Sequence, residues 1–325
     1  MTATLMVTGG AGYVGSHCCK AFAARGWRVV VYDNLSRGWR EHVKWGDLIE
    51  GDILDATALN AAISSLRPDA VAHFAALAYV GESIEAPAEY YRVNTTGMLN
   101  LLDATRAAGV DKVLFSSSCA TYGAPDRLPI DELTSQVPIN PYGWSKLTAE
   151  RMMEAYGAAY GIRSIALRYF NAAGDDAELE TGERHEPETH MIPLAIMAAQ
   201  SGAVFRINGD DFETRDGTAV RDYVHVTDLA DAHCRALDYL MAGGASDAFN
   251  LGTGSGMSVA EILDAIERVS GTRIARQIAP RRPGDPAALV ASADKARRVL
   301  GWEPSHSGID EIISSAWRWH ARNSG

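Results

Sequence analysis

A glycine-rich segment near the N-terminus constrains the fold more than any other feature of this chain. It reads TGGAGYVG over residues 8–15, and it joins an apolar stretch at residues 5–8 to a helical pattern at residues 13–25. Glycines permit a tight turn and close approach of backbone to a pyrophosphate, and the free amides at a helix N-terminus attract its charge. The segment therefore predicts a strand–turn–helix unit that binds a dinucleotide through Gly9, Gly12, Tyr13, Val14 and Gly15.

Strand and helix signals alternate after this unit. Strands are expected at residues 28–32, 47–51, 69–74, 112–116 and 164–169, with helices at 56–65, 90–108 and 141–160. Further helices are expected at residues 190–200, 228–240, 259–269 and 309–320, with a strand at 249–251. Such alternation implies right-handed βαβ units. We predict an α/β fold, a Rossmann-type doubly wound parallel sheet over residues 1–172, followed by a smaller C-terminal α/β substrate domain over residues 173–325. The chain is expected to cross back to the sheet once.

An acidic residue, Asp33, ends the second predicted strand at the spacing expected for a ribose-binding carboxylate. A carboxylate there accepts hydrogen bonds from the ribose hydroxyls and repels a 2′-phosphate, so NAD is favoured over NADP. Arg37 lies close enough in sequence to weaken this preference slightly. A turn aspartate in the segment Asp33-Asn34 is the alternative. We predict an NAD-binding Rossmann domain.

Two later strand ends add candidates to the cofactor site. Asp52 and Ile53 follow the third strand, where the carboxylate can reach the adenine amino group, although an aspartate there is commonly a cap. Small residues after the fourth strand suit close passage of a cofactor. The additional cofactor-binding candidates are Asn34 after the second strand, Asp52 and Ile53 after the third, and Phe74, Ala75 and Ala76 at the end of the fourth.

A YxxxK pattern supplies the candidate chemistry. Asn140 and Pro141 start a helix on which Tyr142 and Lys146, four residues apart, share one face. A phenol has a pKa near 10, and lowering it to about 7 takes about 4 kcal/mol. An ammonium about 5 Å away supplies roughly 3 kcal/mol at an effective dielectric near 20, and a bound positive nicotinamide supplies the rest. We predict Tyr142 as general base, with Lys146 and Ser118 as its catalytic partners; an ordinary surface helix is the alternative.

Composition excludes several other classes. A net charge of −11 disfavours nucleic-acid binding, which depends on Lys and Arg at phosphates. No apolar stretch approaches the roughly 20 residues of a membrane helix, and the first seven residues leave no room for a signal peptide. The four cysteines show no metal-binding spacing and are expected to be reduced thiols. We therefore expect a cytoplasmic protein that binds neither nucleic acid nor membrane.

Further motifs complete a pattern that covers nearly the whole chain. They are FSSSCATYG at 115–123, PYGWSK at 141–146, RYFN at 168–171, GTAVRDYVHV at 217–226 and RRPGD at 281–285. With these motifs the chain resembles the extended short-chain dehydrogenases/reductases, and among them the NAD-dependent epimerase/dehydratase family. The resemblance implies interconversion of UDP-glucose and UDP-galactose by C4 oxidation, rotation of the 4-keto sugar and re-reduction, in a homodimer. It implies that residues 173–325 bind the nucleotide-sugar.

The same resemblance implies roles for individual residues. Asn94, Ser116 and Tyr169 join the cofactor site. The substrate-binding residues that it implies are Ser118, Tyr142, Asn171, His190, Met191, Arg221, Arg282, Asp285 and Leu289, with the arginines facing the diphosphate. Three positions depart from relatives: Ala78 replaces a lysine, His190 an asparagine, and Leu289 a tyrosine or cysteine. These departures leave the identity of the sugar open.

Several alternatives remain within this reading. A UDP-xylose/UDP-L-arabinose 4-epimerase shares the catalytic residues. This alternative includes a bifunctional enzyme that acts on hexoses and pentoses. A 4,6-dehydratase needs an acid pair where this chain has Cys119-Ala120, and a non-catalytic NAD-sensing regulator is expected to lose the Tyr142/Lys146 pair.

The segment from His185 to His190 resembles a metal motif, but its spacing is five and a proline interrupts it. Because the two histidines cannot share one helix face, we predict no metal site.

Overall fold

A seven-stranded parallel sheet forms the centre of the computed structural model, which describes residues 2–282 and 285–323. The sheet order is β11-β6-β5-β4-β1-β2-β3, and every neighbouring pair is parallel. Its strands are β1 (Thr4–Thr8), β2 (Arg28–Asp33), β3 (Asp47–Glu50), β4 (Ala70–His73), β5 (Lys112–Ser118), β6 (Arg163–Tyr169) and β11 (Asp247–Leu251). The predicted Rossmann-type fold is confirmed.

Helices cover both faces of the sheet. The α-helices are α1 (Tyr13–Ala24), α2 (Ala56–Leu66), α3 (Val80–Glu85), α4 (Pro87–Tyr90), α5 (Gly97–Ala107), α6 (Pro141–Tyr160), α7 (Met191–Ser201), α8 (Val226–Met241), α9 (Val259–Ser270), α10 (Asp294–Leu300) and α11 (Ile309–Asn323). Successive strand residues point to opposite faces: Leu5 and Val7 pack with α1 and α8, whereas Met6 packs with α2, α5 and α6. Strands buried on both faces explain the continuous apolar runs in the sequence.

The helix predicted over residues 90–108 is interrupted. Residues Tyr91–Thr96 form a π-helical segment, and α5 begins only at Gly97. Inside that segment Asn94 is buried, and its amide bonds to both backbone groups of Leu77 and to the Ser145 hydroxyl. Periodicity could not reveal this interruption, because the residues that hold Asn94 come from distant parts of the chain.

The second half contains short strands that the sequence did not predict. They form three small sheets made of β7 (Asn171–Ala173) with β10 (Tyr223–His225), β8 (Phe205–Asn208) with β13 (Arg276–Ala279), and β9 (Val220–Arg221) with β12 (Met257–Ser258) and β14 (Ala288–Leu289). Strands of two to four residues are too short to show a period-2 pattern. The remaining strand of this half, β11, lies in the central sheet beside β6. The boundary at residue 172 stays a prediction.

Strand order locates the crevice in which a ligand would lie. The chain forms β3 at one edge of the sheet and then β4 on the other side of β1. In doubly wound sheets such a reversal opens a crevice at the carboxyl ends of the two strands. Here those ends are Thr8 and His73, which are in register and joined by a 2.6 Å bond between Oγ1 and Nδ1. Pro283 and Gly284, within the motif at 281–285, lie outside the described residues.

A buried ion pair joins α6 to β6. The Arg168 guanidinium donates to both Glu150 carboxylate oxygens at 2.6–3.2 Å, with side chains 7% and 3% exposed. Ser117 donates to the same carboxylate, and Arg168 also donates to the Tyr122 hydroxyl at 2.8 Å. Removing one partner of a buried pair leaves an uncompensated charge.

We expect Arg168→Met to lower the free energy of unfolding by about 3–5 kcal/mol, because Glu150 would remain buried and unpaired. Urea unfolding followed by circular dichroism, on preparations of matched cofactor content, measures the loss. Arg151→Met is the control: its pair with Glu154 lies on the surface of the same helix, and its loss should stay below about 1 kcal/mol. Equal losses in the two variants would contradict the assignment.

Candidate active site

The glycine-rich turn is packed so closely that two of its glycines cannot carry a side chain. Gly9 has φ +75°, and a Cβ there would lie 2.4 Å from the Ala75 nitrogen; a Cβ at Gly15 would lie 2.2 Å from the Gly9 oxygen. Gly12 differs, because a Cβ would meet only the Gly9 oxygen, at 3.4 Å. Gly12 begins α1 without a side-chain cap. The turn therefore leaves helix amides and open space for a group from outside the chain, as a bound pyrophosphate requires.

Asp33 fastens the end of β2 to this turn. Its carboxylate accepts hydrogen bonds from the backbone amides of Ala11, at 3.0 Å, and Leu35, at 2.8 Å. Burial raises the pKa of Asp33, and the two amide bonds oppose that rise. Arg37 pairs with Glu82 at 2.5 Å and lies over the Tyr79 ring, so its charge is already partnered. This arrangement removes the reservation about NAD that Arg37 raised.

Neighbouring strand ends bring the other cofactor candidates to the same edge. The Asn34 amide donates to the Asp52 carboxylate at 3.1 Å, and that carboxylate also accepts from the Leu54 amide. The amides of Phe74 and Ala75 both donate to the Thr8 carbonyl, at 2.8 and 3.1 Å. Ile53 is buried, whereas Phe74, Ala75 and Ala76 are half-buried. Val14 is half-buried in the first turn of α1.

Tyr142, Lys146 and Ser118 lie together where α6 faces the end of β5. The Lys146 ammonium donates to the Ser116 carbonyl at 2.7 Å and lies 5.8 Å from the centre of the Tyr142 ring. The Ser118 side chain lies beside the Tyr142 hydroxyl, near enough to affect its pKa, and accepts from the Ala120 amide at 3.1 Å. Local sequence fixes this helix, since Asn140 accepts from the Gly143 amide at 2.8 Å and Pro141 occupies the first turn.

Burial shifts the pKa values of this pair in opposite directions. Burial raises the pKa of Tyr142 to about 12, and the nearby Ser118 side chain opposes the rise. Burial lowers the pKa of Lys146 to about 7, and Glu150 opposes that fall. We expected the Lys146 ammonium to supply most of the free energy that lowers the pKa of the Tyr142 phenol. In the chain without its cofactor the pKa of Tyr142 is raised instead, because desolvation of both groups outweighs their attraction. A positive charge bound beside the phenol would favour its ionised form.

Asn94, Ser116 and Tyr169 surround the pair. The Ser116 and Tyr169 hydroxyls are hydrogen-bonded to each other, and burial raises the pKa of Tyr169. The Asn94 amide group is engaged by Leu77 and Ser145. Asn94 therefore positions the loop after β4 against the helix that carries Lys146.

Residues of the second half supply the candidates for the substrate. Arg221 on β9 forms an ion pair with Asp285 and donates to the Val220 carbonyl at 2.7 Å. Arg282 is exposed, and its guanidinium donates to the side-chain amide oxygen of Asn208 at 3.2 Å. Asn171 is half-buried on β7. The two arginines are thus held by an acid and an amide, with no substrate needed to place Arg221.

Leu289 lies in a small apolar cluster that borders the catalytic residues. Its other members are Cys119, Tyr122, Ile130, Phe170 and Ala291. Cys119 directly follows Ser118, so the cluster reaches the end of β5.

Sequence reasoning missed Asp222, which is fully buried and accepts from the amides of Thr253, Gly254 and Ala291 at 2.8–3.1 Å. Its place inside the motif at 217–226 was the available signal.

The histidines near α7 correct one premise of the sequence analysis. The helix begins at Met191, and His190 precedes its first turn, so the segment from His185 to His190 is not helical. The two histidines do not share a helix face, but outside a helix that fact does not decide whether they bind an ion, and the predicted absence of a metal site stays a prediction. His190 contacts Glu183 through Nδ1, and Met191 is half-buried.

Comparison with known proteins agrees with this geometry. Residues 5–252 match the sequence model of the NAD dependent epimerase/dehydratase family. A UDP-glucose 4-epimerase of Rhizobium meliloti (strain 1021) is 55% identical over 319 residues, which cover 98% of this chain and 97% of that protein.

Solved structures are similar over the same length. The crystal structure of UDP-glucose 4-epimerase from Brucella ovis in complex with NAD has a TM-score of 0.95 at 52% identity and covers 98% of both chains. A UDP-glucose-4-epimerase from Stenotrophomonas maltophila, with bound NAD and formylated UDP-arabinopyranose, has a TM-score of 0.95 at 37% identity and covers 99% of both chains. On the family match and on relatives of this identity and coverage, the chain belongs to the NAD dependent epimerase/dehydratase family.

Proposed function

We propose that this protein is an NAD-dependent 4-epimerase that interconverts UDP-glucose and UDP-galactose by C4 oxidation, rotation of the 4-keto sugar and re-reduction. The observation that carries the proposal is the contact between the Tyr142 and Ser118 hydroxyls beside Lys146, at the carboxyl edge of the sheet. The names of the Rhizobium, Brucella and Stenotrophomonas relatives support the substrate.

The chain's own residues supply binding and proton transfer. NAD, when bound, supplies the acceptor and donor of hydride at the sugar carbon. Tyr142 Oη takes the proton of the sugar 4-hydroxyl and later returns it, and Ser118 Oγ extends the proton path. Lys146 is anchored on the Ser116 carbonyl, and its pKa of about 7 lets it exchange a proton near neutral pH. Burial of these groups excludes water from the reacting atoms.

The cofactor assignment rests on Asp33 and the glycine-rich turn. Open space at Gly12 and uncapped amides at the start of α1 suit a pyrophosphate, and the buried Asp33 carboxylate suits ribose hydroxyls and opposes a 2′-phosphate. On the substrate side, Arg221 and Arg282 bind the diphosphate, while Asn171 and Asp285 orient the nucleotide-sugar.

Two rival functions lose support at Cys119 and Lys146. A dehydratase needs an acid pair after Ser118, but burial raises the pKa of the Cys119 thiol to about 12, and Ala120 has no titratable group. A non-catalytic NAD-binding regulator has no use for a buried lysine held beside a tyrosine, since burying an ammonium is costly.

Activity on UDP-pentoses is a second candidate function, alone or beside the hexoses. Ala78 is exposed after β4 and presents no cationic group to a C6 hydroxyl. The Stenotrophomonas relative, whose structure holds formylated UDP-arabinopyranose, supports acceptance of a pentose.

Location and assembly remain predictions. The four cysteines are buried free thiols, which suits the reducing cytoplasm that we propose. None of the helices in the described residues is both long and apolar enough to span a bilayer. We also propose a homodimer, on the family resemblance alone.

We expect NAD to co-purify with the protein, because hydride removed from C4 must return to the same sugar before the cofactor leaves. Denaturation followed by an enzymatic assay should release close to one NAD per chain. Asp33→Asn, which keeps an acceptor for the backbone amides but removes the charge, should lower the preference for NAD over NADP. Protein that is free of cofactor and binds NADP more tightly than NAD would overturn the Asp33 assignment.

Tyr142→Phe should retain NAD and UDP-sugar binding and lose about 10²–10⁴-fold in kcat, because only the proton-transferring hydroxyl is removed. The rate of UDP-galactose conversion, with binding measured by calorimetry, tests this. Tyr160→Phe, an exposed tyrosine at the end of the same helix, is the control and should leave kcat unchanged. Unchanged turnover in Tyr142→Phe would exclude that residue from the mechanism.

A further prediction concerns which sugars the site accepts. We expect Leu289 to close the sugar pocket with an apolar side chain of intermediate size, so UDP-glucose and UDP-galactose should be accepted. The N-acetylated sugars should be poor substrates, since the acetamido group needs volume and a hydrogen-bond partner. UDP-xylose or UDP-L-arabinose should be converted within about 10–200-fold of the hexoses, because a site that merely accommodates a group discriminates weakly.

The measurement is kcat/KM for the three substrate classes on one preparation. Leu289→Cys should raise the efficiency on UDP-N-acetylgalactosamine, whereas Leu133→Cys, at a fully exposed leucine, should not. If the unmodified protein converted UDP-N-acetylgalactosamine as efficiently as UDP-galactose, the role of Leu289 would be wrong. If the protein did not turn over either pentose, the role assigned to Ala78 would be wrong.

A further inference from the structure

The loop between β7 and α7 gathers four side chains whose ligand atoms all lie within 4.8 Å of one another. We propose that it binds one divalent transition-metal ion of the zinc class through these side chains, named here the histidine–glutamate cluster: Glu183, His185, Glu188 and His190. Of the four residues, only His190 is also among the substrate-binding residues that the family resemblance implies. The proposed proton transfer through Tyr142 and Ser118 uses none of them, so metal binding can be tested apart from turnover.

The distances within the cluster suit a tetrahedral ion. His185 Nδ1 lies 3.4 Å from Glu183 Oε1 and 3.4 Å from Glu188 Oε2. A tetrahedron with bonds of about 2.0–2.1 Å has edges of about 3.3–3.4 Å between its ligand atoms. His190 Nδ1 lies 3.9 Å from Glu188 Oε1 and in direct contact with Glu183 Oε1. Small rotations of His190, which is the most exposed of the four, would bring all four donors onto one ion.

The orientation of His185 points to a ligand in the middle of the cluster. Its Nδ1 atom is buried and makes no hydrogen bond of acceptable geometry with any described residue, although two carboxylates lie 3.4 Å away. A buried polar atom that faces two carboxylates at 3.4 Å without a well-aligned hydrogen bond to either is uncommon. An ion coordinated by this nitrogen and by both carboxylates satisfies all three groups.

Charge and donor type agree on the class of ion. The side chains of Glu183 and Glu188 are only 4% and 8% exposed, so two negative charges lie close together in a poorly solvated place. Burial opposes protonation of His185, but its attraction to Glu183 and Glu188 outweighs burial and raises its pKa to about 9, so in the ion-free chain a protonated imidazole balances one of the two charges. A dication with two neutral imidazoles would balance both. A set of two imidazoles and two carboxylates suits zinc and its neighbours, whereas magnesium and calcium prefer oxygen ligands alone.

Hydrogen bonds outside the cluster hold its ligands in place. Glu188 Oε1 accepts from the amides of Thr189 and His190 at 2.8 Å each, which leaves Oε2 directed towards His185. The Glu183 backbone is fixed at both ends: its amide donates to Asp175 at 2.5 Å, and its carbonyl accepts from the Trp319 indole at 2.9 Å. Such supporting bonds are typical of metal sites.

A nearby acidic cluster differs from the histidine–glutamate cluster because a lysine side chain lies inside it. Asp176, Glu178 and Glu180 also converge, but the Lys20 ammonium lies among them, 2.8 Å from both Asp176 and Glu180. In that cluster a side chain of the protein already occupies the position between the carboxylates that an ion would take.

The place of the cluster indicates a structural role for the ion. The rings of Tyr13, in the glycine-rich turn, and Tyr79 lie 6.2 and 5.6 Å from the His185 ring. Four protein ligands leave no open position for a substrate, as in structural zinc sites. The ion would therefore fix the loop of residues 174–190 against the cofactor turn and hold His190 at the start of α7.

The test is metal binding by the untagged full chain. After dialysis against a chelator, protein titrated with zinc chloride should take up about one zinc per chain by mass spectrometry. The cobalt-loaded protein should show the visible absorption of a tetrahedral site. Zinc, but not magnesium, should raise the melting temperature of the chelator-treated protein. These readouts do not involve turnover, so they separate the ion site from the epimerase proposal.

His185→Gln and the isosteric Glu188→Gln should each weaken zinc binding at least about tenfold and abolish the zinc-dependent rise in melting temperature. His306→Gln is the control, because His306 forms an exposed pair with Glu311 far along the chain and should bind zinc like the unmodified protein. Circular dichroism and NAD content check that each variant is folded. Uptake of clearly less than one zinc by the unmodified protein, or equal zinc affinity in folded Glu188→Gln, would overturn the proposal.

Discussion

The close approach of the glycine-rich turn to the end of β4 is the contact on which the site depends. Gly9 touches the Ala75 backbone so closely that no side chain fits between them. The chain that leaves Ala75 is then held at Leu77 by Asn94, and the same Asn94 amide holds Ser145 on α6. The next residue, Lys146, is anchored on the end of β5. One series of short contacts therefore connects the cofactor turn to the candidate catalytic helix.

Burial has opposite effects on the two central residues of that helix. Desolvation disfavours the phenolate of Tyr142 and the ammonium of Lys146 alike, so in the chain by itself the phenol stays protonated and Lys146 titrates near neutral pH. A positive charge bound beside them stabilises the phenolate. The site is thus poised to gain basicity when its cofactor is present, which links the glycine-rich turn to the chemistry through electrostatics as well as packing.

The second half of the chain is organised by buried carboxylates more than by long strands. Asp222 gathers three backbone amides from two separate segments, and Asp228 similarly accepts from Ser305, His306 and Ser307. The histidine–glutamate cluster belongs to this pattern, with carboxylates that fix loops at the edge of the cofactor crevice. Such loops carry the residues by which one member of a fold family differs from another.

The sequence by itself determined the parallel sheet, its longer helices and the candidate residues at strand ends, but not the short helices α3, α4 and α10. Those features rest on local signals: apolar runs for β1, β2 and β5, a cap and proline for α6, and glycines where backbone packs on backbone. Tertiary structure alone decided the rest. The π-helical segment around Asn94, the pairing of Arg221 with Asp285 and the convergence of His185 with Glu183 and Glu188 depend on contacts between distant or non-helical residues. The pKa values of Tyr142 and Lys146 depend on burial, which spacing along the chain does not specify.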